Sequence, residues 1–190
     1  VSGFGSGFSM TGGVAVARPV GSWNLGMGAS MRRAGEYEPF EDATGASTTF
    51  KPGMEIRTRI GADHPFGTGR VSLGLSYSKF GEDRANAAVY NTGDRYVGQV
   101  AVSNSLRNGV NYSVVLWNLY RTNGTLIDQS ASPSGNITNA MVIFGVRGPS
   151  NITVEPSVET RLWTQQGSQT SFLSTLGMRL FVERGNWAVV

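Results

Sequence analysis

The chain has 190 residues, 39% of them hydrophobic and 15% charged, with a formal net charge of +3 and no cysteine. This length fits one domain, the lack of cysteine excludes disulfide frameworks and thiolate metal sites, and the longest apolar run, Ala140–Phe144, is far short of the roughly 20 residues a spanning helix needs. Lys51 and Lys79 are the only lysines among 16 basic residues, and such Arg dominance suits charge pairing at close quarters better than a solvated polybasic surface.

A period-two alternation recurs along the whole chain, with one face apolar and the other rich in Arg, Glu, Ser, Asn and Gly. It predicts ten strands, at about 8–18, 22–34, 53–63, 69–80, 95–104, 109–121, 137–147, 151–163, 171–184 and from 186 onward. In the second, Trp23, Leu25, Met27, Ala29 and Met31 alternate with Asn24, Gly26, Gly28, Ser30 and Arg32. In the third, Ile56 and Ile60 alternate with Glu55, Arg57 and Arg59, and in the eighth Ile152, Val154 and Val158 alternate with Thr153, Glu155 and Glu159. Two strands are out of phase. Val97 and Ala101 fall on the polar side of 95–104, and Val115, Trp117 and Leu119 on that of 109–121, where a β-bulge near Val114 or Val115 is expected to restore the alternation.

Short links at 18–22, 63–69, 104–109, 148–151 and 184–186 carry Gly, Pro or Asn, and they alternate with long polar links at 35–52, 81–94, 122–136 and 164–170. Such alternation puts all short turns on one rim and all long loops on the other, as in an up-and-down antiparallel meander. Tyr37, Phe50, Tyr77, Tyr96, Tyr120 and Phe172 gather toward the long-loop ends, and Trp23, Phe66 and Trp187 toward the short turns. Two aromatic girdles are thus expected, as at the two interfaces of a bilayer.

Taken together, these strands, link lengths and girdles resemble bacterial outer-membrane β-barrel proteins, porin-like or transporter-like. The resemblance implies an all-β transmembrane barrel in the bacterial outer membrane, lipid on its apolar face, and small solutes passing through its lumen. Residues 1–190 are read as a single barrel domain with about ten strands visible. The first strand runs into a short turn and the last is cut short, so the barrel is expected to be incomplete at both ends, completed by missing segments or other subunits.

Function at this level rests on the polar face. Its charges include Arg32, Glu55, Arg57, Arg59, Glu155, Glu159, Arg161 and Arg179, assigned as pore-lining, with Asp63, Arg70, Arg95, Arg147 and Glu183 on the same parity. In a lumen such residues hold water and set a field. The other readings are a barrel plugged by its own ion pairs, or a soluble all-β binding domain whose apolar face packs on a second sheet. The one histidine, His64, sits beside Pro65 in an expected short turn with no nucleophile arranged near it. No enzymatic activity, cofactor, metal or nucleic-acid partner is therefore expected. Glu36, Glu38, Glu41 and Asp42 cluster in the longest link and read as a solvated loop.

Overall fold

The computed structural model describes residues 8–41, 47–106, 109–126, 130–147, 152–166, 174–184 and 187–189. Ten long strands form one sheet: β1 (Ser9–Val20), β2 (Trp23–Ala34), β5 (Glu55–Phe66), β6 (Gly69–Phe80), β9 (Arg95–Ser105), β10 (Val110–Arg121), β13 (Gly135–Arg147), β14 (Ile152–Gln166), β15 (Ser174–Arg184) and β16 (Trp187–Val189). They pair in that order, every pair antiparallel, as the expected meander requires. No pairing joins β1 to β16 among the described residues.

Burial in this sheet is the reverse of a water-soluble protein's. Ala34 is the one buried hydrophobic residue among those described, whereas Glu55, Ser78, Ser132, Asn139 and Thr164 are buried polar ones. Met27, Ile60, Leu75 and Leu176 stand open on the other face, at 62%, 56%, 51% and 81% exposure. A sheet that covers its polar side and opens its aliphatic side leaves those aliphatics in need of an apolar neighbour, the pattern expected of a transmembrane barrel strand set.

Several expectations are corrected. The links at 18–22 and 63–69 shrink to two-residue turns, Gly21–Ser22 and Gly67–Thr68. In each the first central residue is a glycine at positive φ, 60° and 53°, a backbone that suits a tight hairpin and that other residues adopt at a cost. His64 consequently lies within β5, where its ring stacks 4.9 Å from that of Trp23 and its Nδ1 is 3.0 Å from the Ser22 carbonyl oxygen.

The long links are not plain loops. Those at 35–52 and 81–94 contain β3 (Tyr37–Glu41), β4 (Ser47–Lys51), β7 (Asp83–Ala85) and β8 (Ala88–Tyr90), which combine into one four-stranded sheet through the β4–β7 pairing. A third link carries β11 (Gly124–Thr125) and β12 (Ala131–Ser132), tied to the second by an Asn91–Thr125 bridge. Tyr37 and Phe50 therefore pack in this rim sheet, ring centroids 5.2 Å apart, with Tyr90 stacked 6.2 Å from Phe50, and do not join the girdle. The girdle consists of Tyr77, Tyr96 and Tyr120, register neighbours with centroids 4.8 and 6.1 Å apart.

The bulge also lies elsewhere. β10 pairs without interruption on both sides, so Val115, Trp117 and Leu119 keep their parity and point inward. The break falls in β14, where Thr138 faces Trp163 and Asn139 faces Arg161, leaving Leu162 as the extra residue. Phe172 and the turn at 148–151 lie outside the described residues, as does Asp42.

Candidate functional site

Strand register places the inward side chains abreast in rows across the inner wall. One row reads Ser30, Arg57, Ser78, Arg95 and Arg121; the next Gly28, Arg59, Ser76, Val97, Leu119 and Ile137. A third reads Gly26, Gly61, Gly74, Gln99, Trp117, Asn139 and Arg161, and a fourth runs through Val115, Met141, Glu159 and Thr175.

All eight residues assigned from sequence fall by register on the polar face of the sheet, but they do not form one ladder. Arg57 and Glu55 form a tight pair within β5, with Nη2 to Oε1 at 2.5 Å and Nε at 3.0 Å from both Glu55 Oε1 and Ser78 Oγ. Two residues apart on a strand, they share a face, and Glu55 is 8% exposed. Burial of a carboxylate is tolerable there because the guanidinium answers its charge. Arg32 sits opposite Glu55 in register and borders a pocket of about 150 Å³ with Thr11, Ser30 and Arg57. Across β14 and β15, Glu155 and Arg179 face each other with Oε2 and Nε 4.0 Å apart.

Glu159 accepts from Asn139 Nδ2 at 2.8 Å. That bond fixes the Asn139 amide, whose Oδ1 is buried without a hydrogen-bond partner, as is the neighbouring Arg161 Nε. Arg59 is exposed and forms no ion pair among the described residues. It borders an inner pocket of about 240 Å³ with Gly74, Ser76, Val97 and Gln99. Asp63 and Arg70 add a further pair at 3.6 Å, and Asn24 Nδ2 donates to Asp63 Oδ2 at 3.0 Å. Glu183 is on the inward parity, but its side chain lies outside the described residues. This face thus mixes neutralised pairs with two arginines, Arg59 and Arg161, that form no ion pair among the described residues.

Sequence reasoning missed two features of this face. Arg121, at the very end of β10, faces Arg95 directly. Trp117 with Val97, Leu119 and Ile137 forms an apolar panel that strict parity through 109–121 implies once no bulge is inserted.

No protein-family model matches the sequence, and no curated protein does. A solved structure does match: OmpT (in-vitro folded), an outer membrane protein of Vibrio cholerae in its trimer form, with a TM-score of 0.62 at 9% identity. The match covers 90% of this chain and 56% of that one, so the chain spans little more than half the length of that protein. At this identity the likeness carries the fold, which is that of a bacterial outer-membrane β-barrel protein, and the expected outer-membrane location agrees with it.

One expectation is overturned by this match. The expected absence of enzymatic activity does not stand: the chain shares its fold with an outer-membrane protein, one fold hosts many unrelated functions, and a single histidine therefore does not exclude catalysis.

Proposed function

We propose that this chain forms wall of an outer-membrane pore for small solutes, with a lumen lined by Arg32, Glu55, Arg57, Arg59, Glu155, Glu159, Arg161 and Arg179 and a weak preference for anions. The reading includes membrane lipid as the partner of the apolar face, and further strands, from the same polypeptide or another subunit, as partners of the edges of β1 and β16, because unpaired backbone cannot face hydrocarbon.

The observation that carries it is the covered polar face: Glu55, Ser78 and Asn139 are sheltered while Met27 and Leu75 on the other face stand open. Arginines without carboxylate partners on that covered side supply the excess positive field. A plugged barrel would instead be expected to neutralise its charges throughout, and Arg59 and Arg161 depart from that.

Planar-bilayer recording in a salt gradient tests it. Replacing Arg57, Arg59 and Arg161 together by Gln should shift the reversal potential toward cations. Absence of any conductance would favour the plugged barrel, and an unchanged reversal potential would remove these arginines from the conduction path.

A further inference from the structure

Arg95 and Arg121 are direct register partners on adjacent strands, and both point inward at the long-loop end of the wall. Side chains so placed have Cβ atoms about 5 Å apart, and like charges there repel. No carboxylate lies within ion-pair distance of either among the described residues. Glu55 is taken by Arg57. Asp94, adjacent to Arg95 in sequence, accepts from the Tyr77 hydroxyl at 2.7 Å and the Phe80 amide at 3.3 Å.

Other contacts hold the two guanidinium groups in place without neutralising them. Arg95 Cζ lies 4.9 Å over the Phe80 ring, and Arg121 Nη2 donates to the Pro133 carbonyl at 3.3 Å and to Ser132 Oγ at 3.5 Å. Cation–π stacking and neutral hydrogen bonds fix geometry and leave the net charge of +2 standing. One step further along the same strands lie Val97 and Leu119, flanked by Ile137 and then Trp117. Trp117 is flanked in its row by Gln99 and Asn139, and beyond Gln99 the row continues through Gly74 and Gly61, which add no side chain.

We infer that Arg95 and Arg121 form a binding site for the carboxylate of a small solute whose flat apolar body lies on Val97, Leu119, Ile137 and Trp117. The anion relieves the like-charge pair, each guanidinium offering paired donors to a carboxylate, and the apolar panel receives what water would otherwise cover. A purely inorganic anion would use the arginines and leave the panel wet; a neutral aromatic would use the panel and leave the repulsion. An aromatic or alicyclic carboxylate uses both. The inference rests on the pore reading for the route by which a solute arrives, and it narrows that reading to a solute class.

The test is calorimetric titration of the full-length protein, refolded in detergent micelles, with benzoate, acetate and benzamide. Benzoate should bind at least about tenfold more tightly than either. The R95Q/R121Q double variant should reduce benzoate to the level of benzamide, and Trp117→Leu should bring it toward acetate; both should keep the heat-modifiable migration of a folded barrel. Arg121→Gln alone, which removes one of two repelling charges, should unfold at no lower urea concentration than the parent. Equal binding of benzoate and acetate, or benzoate binding untouched by R95Q/R121Q, would overturn the site. Benzoate binding without conductance in bilayers would defeat the pore reading alone, and conductance without benzoate preference would defeat this site alone.

Discussion

Glu55 and Arg57 meet within a single strand, carboxylate and guanidinium 2.5 Å apart on the inward face of β5, with Ser78 of β6 completing the contact. Arg57→Met should therefore leave a nearly buried carboxylate unanswered and cost about 1–2 kcal/mol in a urea titration, the lower end of buried-pair losses because the Arg57 side chain is 37% exposed. Replacing both partners, Glu55→Gln with Arg57→Met, should recover part of that loss. A double variant less stable than Arg57→Met would mean the pair is not what matters there.

Facing is tested on β6. Leu73 and Ser72 are neighbours that point to opposite sides, Leu73 beside Ala62 and Val100 in register, Ser72 beside Asp63 and Ala101. Leu73→Arg puts a cation in hydrocarbon at a cost of about 2–4 kcal/mol, while Ser72→Arg places it next to Asp63 and should cost far less. Equal losses in refolding titrations would contradict the assignment of the two faces.

The bulge in β14 gives a sharper contrast. Arg161 points in, Leu162 and Trp163 are both open on the other side at 47% and 40% exposure, and Thr164 is buried again. Deleting Leu162 removes the extra residue and keeps every flanking side chain on its own face, so the variant should still refold into lipid. Deleting Val158, also outward but in regular pairing with Val142 and Leu176, flips the register on one side of the cut and should abolish refolding. Similar yields for the two deletions would place the irregularity elsewhere.

Above the wall, the Tyr90 hydroxyl is pushed up from its ordinary value by burial first, then by Asp83 and Tyr37. The neutral phenol is favoured in the folded rim, so the stability it lends is complete below the ordinary tyrosine pKa and is lost as pH rises through the raised one. Limited proteolysis of the long links should accelerate above about pH 10, and Tyr90→Phe should delay that acceleration. Alkaline cleavage identical in the variant would sink the assignment.

How far the sequence could be read depended on how local the cause was. Strand 69–80 is legible to the residue because alternation through Val71, Leu73, Leu75 and Tyr77 is unbroken and the turn glycines bound it. The 63–69 link reads too long in the sequence because His64 and Pro65 look like turn formers, yet Pro65 pairs with Arg70 in the ladder. β4 and β7 are five and three residues long and owe their existence to each other across two links, a nonlocal pairing that no window of sequence reveals. Trp117 shows the other limit: an apolar residue at an inward position looks like a phase error when the lumen is assumed polar throughout. Its partner Asn139, buried at 5% exposure and bonded to Glu159, shows that register, and not hydrophobicity, sets its side. Of the candidate site, the parity of the eight charged residues was readable; which of them pair was not, since that depends on strand neighbours and side-chain reach.

Hydrogen bonds between β4 and β7, and between Asn91 and Thr125, stitch three successive long links into one rim. Whatever grips this rim from outside meets an epitope assembled from distant stretches of chain, Phe50 beside Ala85 and Asn91 beside Thr125. Antibodies raised against the folded protein would accordingly read discontinuous surface, and peptides copied from any single link would compete poorly for them.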